Sequence, residues 1–374
     1  MKRPRDFFAT GVGIIVVGLI IGVLAAYLQK LGNPANMGVC VACFTRDICG
    51  ALGMQRADIV QYLRPEIPAF CLGAFLAALI FGEFKPRSGS SPMVRFILGM
   101  FAMIGALIFL GCPWRAMLRL AGGDWNAILG IIGLVVGIGI GVIFLKGGFS
   151  LGRSYGGKAV AGLAMPFVMV VLLVLAYYYP VFGEEGKAAL FKSVKGPGAA
   201  HAPILWSAGL GLLIGFLAQR TRFCTVGGFR DAVLMGDFHL LSGVIAFLVA
   251  AFVMNYVVFQ QFHPGFTLGV DEAGKVINQP AAHTVHWLNF AGMALAGLAF
   301  TLAGGCPGRQ VFLSGEGDGD AAVFVMGMVV GAAVSHNFAL VGAAPNASYI
   351  VVIGLVIVGI IGFMGLLKQP APAR

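Results

Sequence analysis

Two interruptions of apolar sequence constrain this chain more than any other feature. The run Phe96 to Leu110 ends in Gly111-Cys112-Pro113-Trp114-Arg115, and the run His286 to Gly304 ends in Gly305-Cys306-Pro307-Gly308-Arg309. Proline removes a backbone donor, and an arginine charge is costly at membrane depth. Glycine, cysteine, proline and arginine each recur at one offset, 306 − 112 = 194. Gly111, Pro113, Gly305 and Pro307 therefore read as half-helix breaks in two copies of one unit.

The apolar runs are about 17–25 residues long, the length that spans a hydrocarbon core. Only 11% of the residues are charged and the mean hydropathy is +0.92, whereas soluble domains are roughly a quarter charged. The fold class is thus all-α, a polytopic membrane protein. Fifty-six glycines suit close helix packing where lipid offers no hydrophobic drive. The net charge of +10 lies mostly in short connections, which is the positive-inside signal. No basic block adjoins a soluble domain, so the bilayer is an expected partner and nucleic acid is not. Lys2, Arg3 and Arg5 resemble the charged start of a signal peptide, but a multi-span chain favours an uncleaved first helix.

Spans are predicted near 11–28, 67–83, 93–111, 125–145 and 159–180. A second set is predicted near 204–218, 239–259, 286–304, 320–340 and 348–367. This gives about 9–10 transmembrane helices in two units, 1–180 and 204–374, joined by a loop at 181–203. The stretches 36–56, 112–123, 219–237 and 305–319 are too short or broken to span. They read as re-entrant half-helices, tolerated only under cover of protein or a water-filled cavity. Five spans per unit make the second copy an inverted repeat of the first, and the four half-helices then converge as an hourglass. Lysine and arginine positions predict cytoplasmic N- and C-termini.

A second motif is also duplicated. Cys40-Val-Ala-Cys43-Phe-Thr-Arg46-Asp47 matches Cys224-Thr-Val-Gly-Gly-Phe-Arg230-Asp231 at an offset of 224 − 40 = 184. Each unit so carries two placed thiols, Cys40 with Cys112 and Cys224 with Cys306, and two arginines, Arg46 with Arg115 and Arg230 with Arg309. Half-helix N-termini offer unpaired N–H groups and partial positive charge. Arginine adds a permanent cation with planar donors. Thiols add polarisable sulfur. Together these residues form a candidate pathway for a small, soft-centred oxyanion containing sulfur or selenium. The plainer alternatives are that buried cysteines only pack, that Arg-Asp pairs only pin helix ends, and that Arg115 and Arg309 reach for headgroups.

Cys40-x2-Cys43 with Cys49 has no second CxxC to complete a zinc site, so no metal, cofactor or enzymatic activity is expected. Cys43 and Cys49 are candidates for an auxiliary thiol or disulfide pair. Cys71 reads as core, and His336 reads as a hydrogen-bonded helix contact. Apart from the Arg-Asp pairs no buried carboxylate set is evident. A membrane thiol–disulfide redox protein is the main alternative function, although vicinal pairs in both halves are lacking.

The duplicated Gly-Cys-Pro-x-Arg and Cys-x5-Arg-Asp motifs resemble the YeeE/YedE family of sulfur-transport membrane proteins over nearly the whole chain. The version GCPWRAMLRLAGGDWNA looks most like the YedE-type branch associated with bacterial selenium metabolism. That resemblance implies an hourglass importer of the bacterial cytoplasmic (inner) membrane, relaying thiosulfate or a related species past cysteines at a constriction. By motif the pathway thiols would be Cys112, Cys224 and Cys306, with Cys40 equivalent to Cys224. It also implies a cytosolic sulfur-carrier or selenium-handling partner.

Overall fold

A computed structural model describes residues 7–182 and 190–367, with side chains omitted at 179–182. Lys2, Arg3, Arg5, both termini and part of the 181–203 connection lie outside the described residues.

The first set of helices is α1 (Gly11–Lys30), α2 (Val41–Ala51), α3 (Glu66–Ile80), α4 (Pro92–Ile108), α5 (Pro113–Ala121), α6 (Asn126–Lys146) and α7 (Ala159–Phe182). The second set is α8 (Ile204–Thr221), α9 (Thr225–Met235), α10 (His239–Val253), α11 (His286–Ala303), α12 (Pro307–Gly315), α13 (Gly319–Asn337) and α14 (Ala347–Met364). Among the described residues nine helical segments are long and apolar enough to cross a membrane, and the chain is a multi-pass membrane protein. The predicted span at 67–83 is a shorter helix, the 15-residue α3. Two strand pairs lie outside the bundle, β1 (Arg87–Ser88) with β2 (Tyr155–Gly156) and the hairpin β3 (Thr267–Val270) with β4 (Val276–Asn278).

Local chemistry explains the ends of these elements. The hydroxyl of Thr10 accepts from Gly13 N at 3.0 Å and starts α1. Prolines open α4, α5 and α12, where the missing N–H is one the helix leaves unpaired anyway. The residue ahead of each Gly-Cys-Pro break, Leu110 or Gly304, sits in the left-handed region at φ 64° and 92°. Glycine enters that region without strain, whereas leucine pays for its Cβ.

Four short helices stand where half-helices are expected, within narrower bounds. α2, α5, α9 and α12 have 11, 9, 11 and 9 residues. At 1.5 Å per residue each covers about 14–17 Å, roughly half a bilayer core. Gln219, Arg220 and Thr221, assigned by the sequence reading to the third of these stretches, instead complete α8.

The long helices pack in matched pairs. α6 lies along α11 as α13 lies along α4, and α8 lies along α3 as α10 lies along α1. Exchanging α1–α7 for α8–α14 maps each contact onto its counterpart. The outer helices break the correspondence, because α7 packs on α3 and α12 while α14 packs on α11 and α4. Glycines set the closeness of two seams. A Cβ at Gly73 would overlap the carbonyl of Leu212, and one at Gly215 would overlap that of Phe70. Across α1 and α10, Gly18 and Gly22 abut the carbonyls of Gly243 and Phe247 in the same way.

Candidate functional site

Each of the four short helices begins at a cysteine. Cys40, Cys112, Cys224 and Cys306 are the N-caps of α2, α5, α9 and α12. A cap residue offers an acceptor to an N–H that the first turn leaves unpaired. Here the acceptor is sulfur. Cys40 Sγ accepts from Cys43 N at 3.4 Å, Cys224 Sγ from Gly227 N at 3.2 Å, and Cys306 Sγ from Arg309 N at 3.5 Å. Cys112 Sγ makes no such cap and meets Cys40 Sγ at 3.8 Å. In the other pair, Cys306 N donates to Cys224 Sγ at 3.4 Å. The fold thus brings the four repeated thiols together as two pairs.

The first-set arginines are fully committed to the protein. Arg46 is bound to Asp47 at 2.6 Å, and the second carboxylate oxygen of Asp47 takes Arg64 Nε at 2.8 Å. Arg64 also donates to the carbonyls of Ala200 and Pro197 and lies 4.6 Å from the centre of the Phe44 ring. Arg115 is fully buried. Its guanidinium donates to the carbonyls of Asn36, Leu110, Pro280 and Ala281 and reaches Cys43 Sγ at 3.7 Å. Carbonyl dipoles, rather than a headgroup or a carboxylate, hold that charge.

The second-set arginines face space. Arg230 pairs with Asp231 at 2.8 Å and Arg309 with Glu316 at 3.2 Å, with Arg230 a quarter exposed. Both line a cavity of about 340 Å³ into which Cys224 opens. Two neighbouring cavities of about 490 and 310 Å³ share lining residues with it, and Arg222 borders all three. Six cationic side chains (Lys85, Arg87, Arg220, Arg222, Arg230 and Arg309) against four carboxylates (Glu83, Asp231, Asp237 and Glu316) line this vestibule. Its net potential favours anions. On the opposite face, where α1 ends, a cavity of about 310 Å³ is lined by Gln29, Asn33, Asn36, Gln261, His263 and Gln279. That mouth offers amides in place of guanidinium groups.

An aromatic cluster adjoins both pairs. Trp114, on α5, packs against Phe223, Phe247, Phe312 and Phe70 with ring centres 5.5, 5.9, 6.0 and 6.2 Å away. Its indole Nε1 is buried with no hydrogen-bond partner.

Several residues escaped the sequence reading. Arg64 and Arg119 are fully buried in ion pairs with Asp47 and Asp124. Arg222 holds a left-handed backbone at φ 55°, and its guanidinium has no ion-pair partner among the described residues. The repeat carried a usable signal for it, since Arg220 and Arg222 stand where the first unit has Asn36 and Gly38 (220 − 36 = 184). Buried carboxylates extend beyond the Arg-Asp pairs. Glu66 is fully buried and takes Asn33 and Ser207 at 2.8 and 2.9 Å. Asp318 caps α13 and binds Arg87 at 2.8 Å.

The minor cysteines are also settled. Cys43 and Cys49 point apart, to the carbonyls of Leu110 and Val329, and both are free thiols. Cys71 is buried as expected, beside Ser314 Oγ at 3.6 Å. His336 differs from expectation, for its Nε2 is buried without a partner. Among the described residues no group of three or more metal-ligating side chains is assembled.

Residues 220–365 match the family described as Sulphur transport, a span that includes Cys224, Arg230, Cys306 and Arg309. Over 108 residues the chain is 35% identical to the thiosulfate transporter TsuA of Escherichia coli (strain K12), which covers 29% of this chain and 27% of that protein. Over 82 residues it is 38% identical to the fluoride-specific ion channel FluC 2 of Parasynechococcus marenigrum (strain WH8102), covering 22% of this chain and 57% of that one. The matches thus span about a quarter of one relative and just over half of the other.

Proposed function

We propose that this chain is a sulfur transporter of the YeeE/YedE type, a reading supported by the match of residues 220–365 to the Sulphur transport family, and that it carries a small sulfur-containing anion across the membrane between two thiol pairs. The observation that carries this reading is the pairing of Cys224 with Cys306 at two short-helix N-termini, with Cys224 opening to the arginine vestibule. Backbone N–H groups and guanidinium donors meet the oxygens of such an anion. The thiols meet its soft sulfur, which a weak S–H donor suits better than a strongly hydrated ammonium. Thiosulfate has both ends. A selenium analogue presents the same softness, so selenium cargo is a finer form of the same proposal.

The two helix sets are read as inverted repeats, 1–180 and 204–374, in keeping with their exchangeable contacts. The vestibule face carries Lys85, Arg87, Arg220 and Arg222, which fits a cytoplasmic position under the positive-inside rule. The membrane is then the bacterial inner membrane, and an anion leaving Cys224 and Cys306 emerges beside a cationic surface. A cytosolic sulfur-carrier or selenium-handling protein would receive it there.

Uptake of labelled thiosulfate into proteoliposomes, competed by sulfate and by selenite, tests the reading. Saturable thiosulfate uptake that resists sulfate is expected. Cys306→Ala should lower it about tenfold or more, the size of one lost specific contact of roughly 1.4 kcal/mol. Uptake no greater than in empty liposomes overturns the proposal, as does redox cycling of Cys40 and Cys112 without any flux.

A further inference from the structure

Trp114 touches the surroundings of both thiol pairs. It lies two residues after Cys112, and its indole rests on Gly308, two residues after Cys306. A Cβ built on Gly308 would stand 3.4 Å from Trp114 Cζ2. Phe223, which precedes Cys224, meets the indole edge-on at 5.5 Å. The side chain is 1% exposed. In the repeat register Trp114 and Gly308 are equivalent positions (308 − 114 = 194), so the copies have diverged into a bulky ring and the slot that receives it.

The indole nitrogen needs its own explanation. A buried tryptophan N–H normally finds an acceptor, yet Trp114 Nε1 has none. Its nearest aromatic company, Phe70, Phe223, Phe247 and Phe312, offers no oxygen. A collar of apolar rings excludes water and stops hydrated ions, the principle of a dewetting gate. An unpaired donor inside such a collar favours the passage of a species that brings its own acceptor.

We propose that Trp114 is the gate and the selectivity residue of the pathway. Its ring separates Cys40 and Cys112 from Cys224 and Cys306, and its Nε1–H is the donor that a crossing oxyanion meets in the apolar collar. This rests on the transport reading above for the identity of the cargo; the barrier itself does not.

Proteoliposomes carrying the full chain test both parts, with labelled thiosulfate uptake and passive chloride and sulfate leak measured on the same samples. Trp114→Ala should raise the leak about tenfold or more, since removing a hydrophobic constriction lets the passage wet. Trp114→Phe keeps the ring and loses the donor, so the leak stays at the wild-type level while thiosulfate uptake falls about tenfold, the size of one lost hydrogen bond to a charged group. Gly308→Leu fills the slot against the indole and should reduce uptake without adding leak. A folded Trp114→Ala protein that leaks no more than wild type overturns the gate. Wild-type uptake in Trp114→Phe overturns the donor, and this variant decides alone if Trp114→Ala fails to assemble. If the wild-type protein carries no thiosulfate while Trp114→Ala still leaks chloride, the cargo assignment has failed and the gate stands.

Discussion

The two thiol pairs are built from the same two motifs and have taken different surroundings. Cys40 and Cys112 are 0% and 1% exposed, and the arginines of their motifs are consumed by Asp47 and by four carbonyls. Cys224 borders open space with Arg222, Arg230 and Arg309 around it. The difference arises outside the motif. Arg220 and Arg222 replace Asn36 and Gly38 at the approach to the second pair, whereas the 279–283 connection folds over the first, with the carbonyls of Pro280 and Ala281 accepting from Arg115 and His283 Nε2 meeting the Ile108 carbonyl. A repeated arginine is therefore a structural cation in one copy and a cavity-facing cation in the other. Burial decides which.

The largest expected effect breaks the contrast at the Arg-Asp pairs. Asp47→Ala strands two buried guanidinium groups and should cost about 3–5 kcal/mol. Asp231→Ala removes a partner from a quarter-exposed arginine and should cost no more than about 1 kcal/mol. Thermal unfolding in detergent compares the two, and equal losses would erase the distinction. Thiol accessibility is next. A charged methanethiosulfonate applied to open membranes should modify Cys224 about tenfold faster than Cys40 or Cys112, following access to thiolate rather than motif position. Mass spectrometry of single-cysteine variants reads the rates, and faster labelling of Cys112 would reverse the comparison. The smallest effect concerns Arg222. Glycine there releases the left-handed strain and should stabilise the fold by roughly 1 kcal/mol, while thiosulfate uptake drops a few-fold through loss of a vestibule charge. Gain in stability with unchanged uptake would remove Arg222 from the anion's route.

The positions of the four short helices were legible because two offsets recur through the chain, and proline after cysteine marks a helix start wherever it stands. The cysteines' role as N-caps is local and follows from the same pattern. What could not be read was which arginine meets which partner. Arg64 reaches Asp47 from 17 positions away, and the carbonyls around Arg115 come from residues 36, 110, 280 and 281. Such encounters depend on how loops fold over the helices, and neither periodicity nor spacing encodes that. Leu110 shows the same limit. A left-handed break is legible at Gly304, but leucine at the equivalent position hides it until the backbone is seen.

The seams of α3 with α8 and of α1 with α10 restrict how this protein can work. With carbonyl oxygens lodged where methyl groups would otherwise sit, neither pair can slide by a turn without a clash. Large rocking of one half against the other is mechanically disfavoured. Under the transport proposal, an anion would then pass by rotamer changes and small displacements among the four short helices, within a frame that stays still.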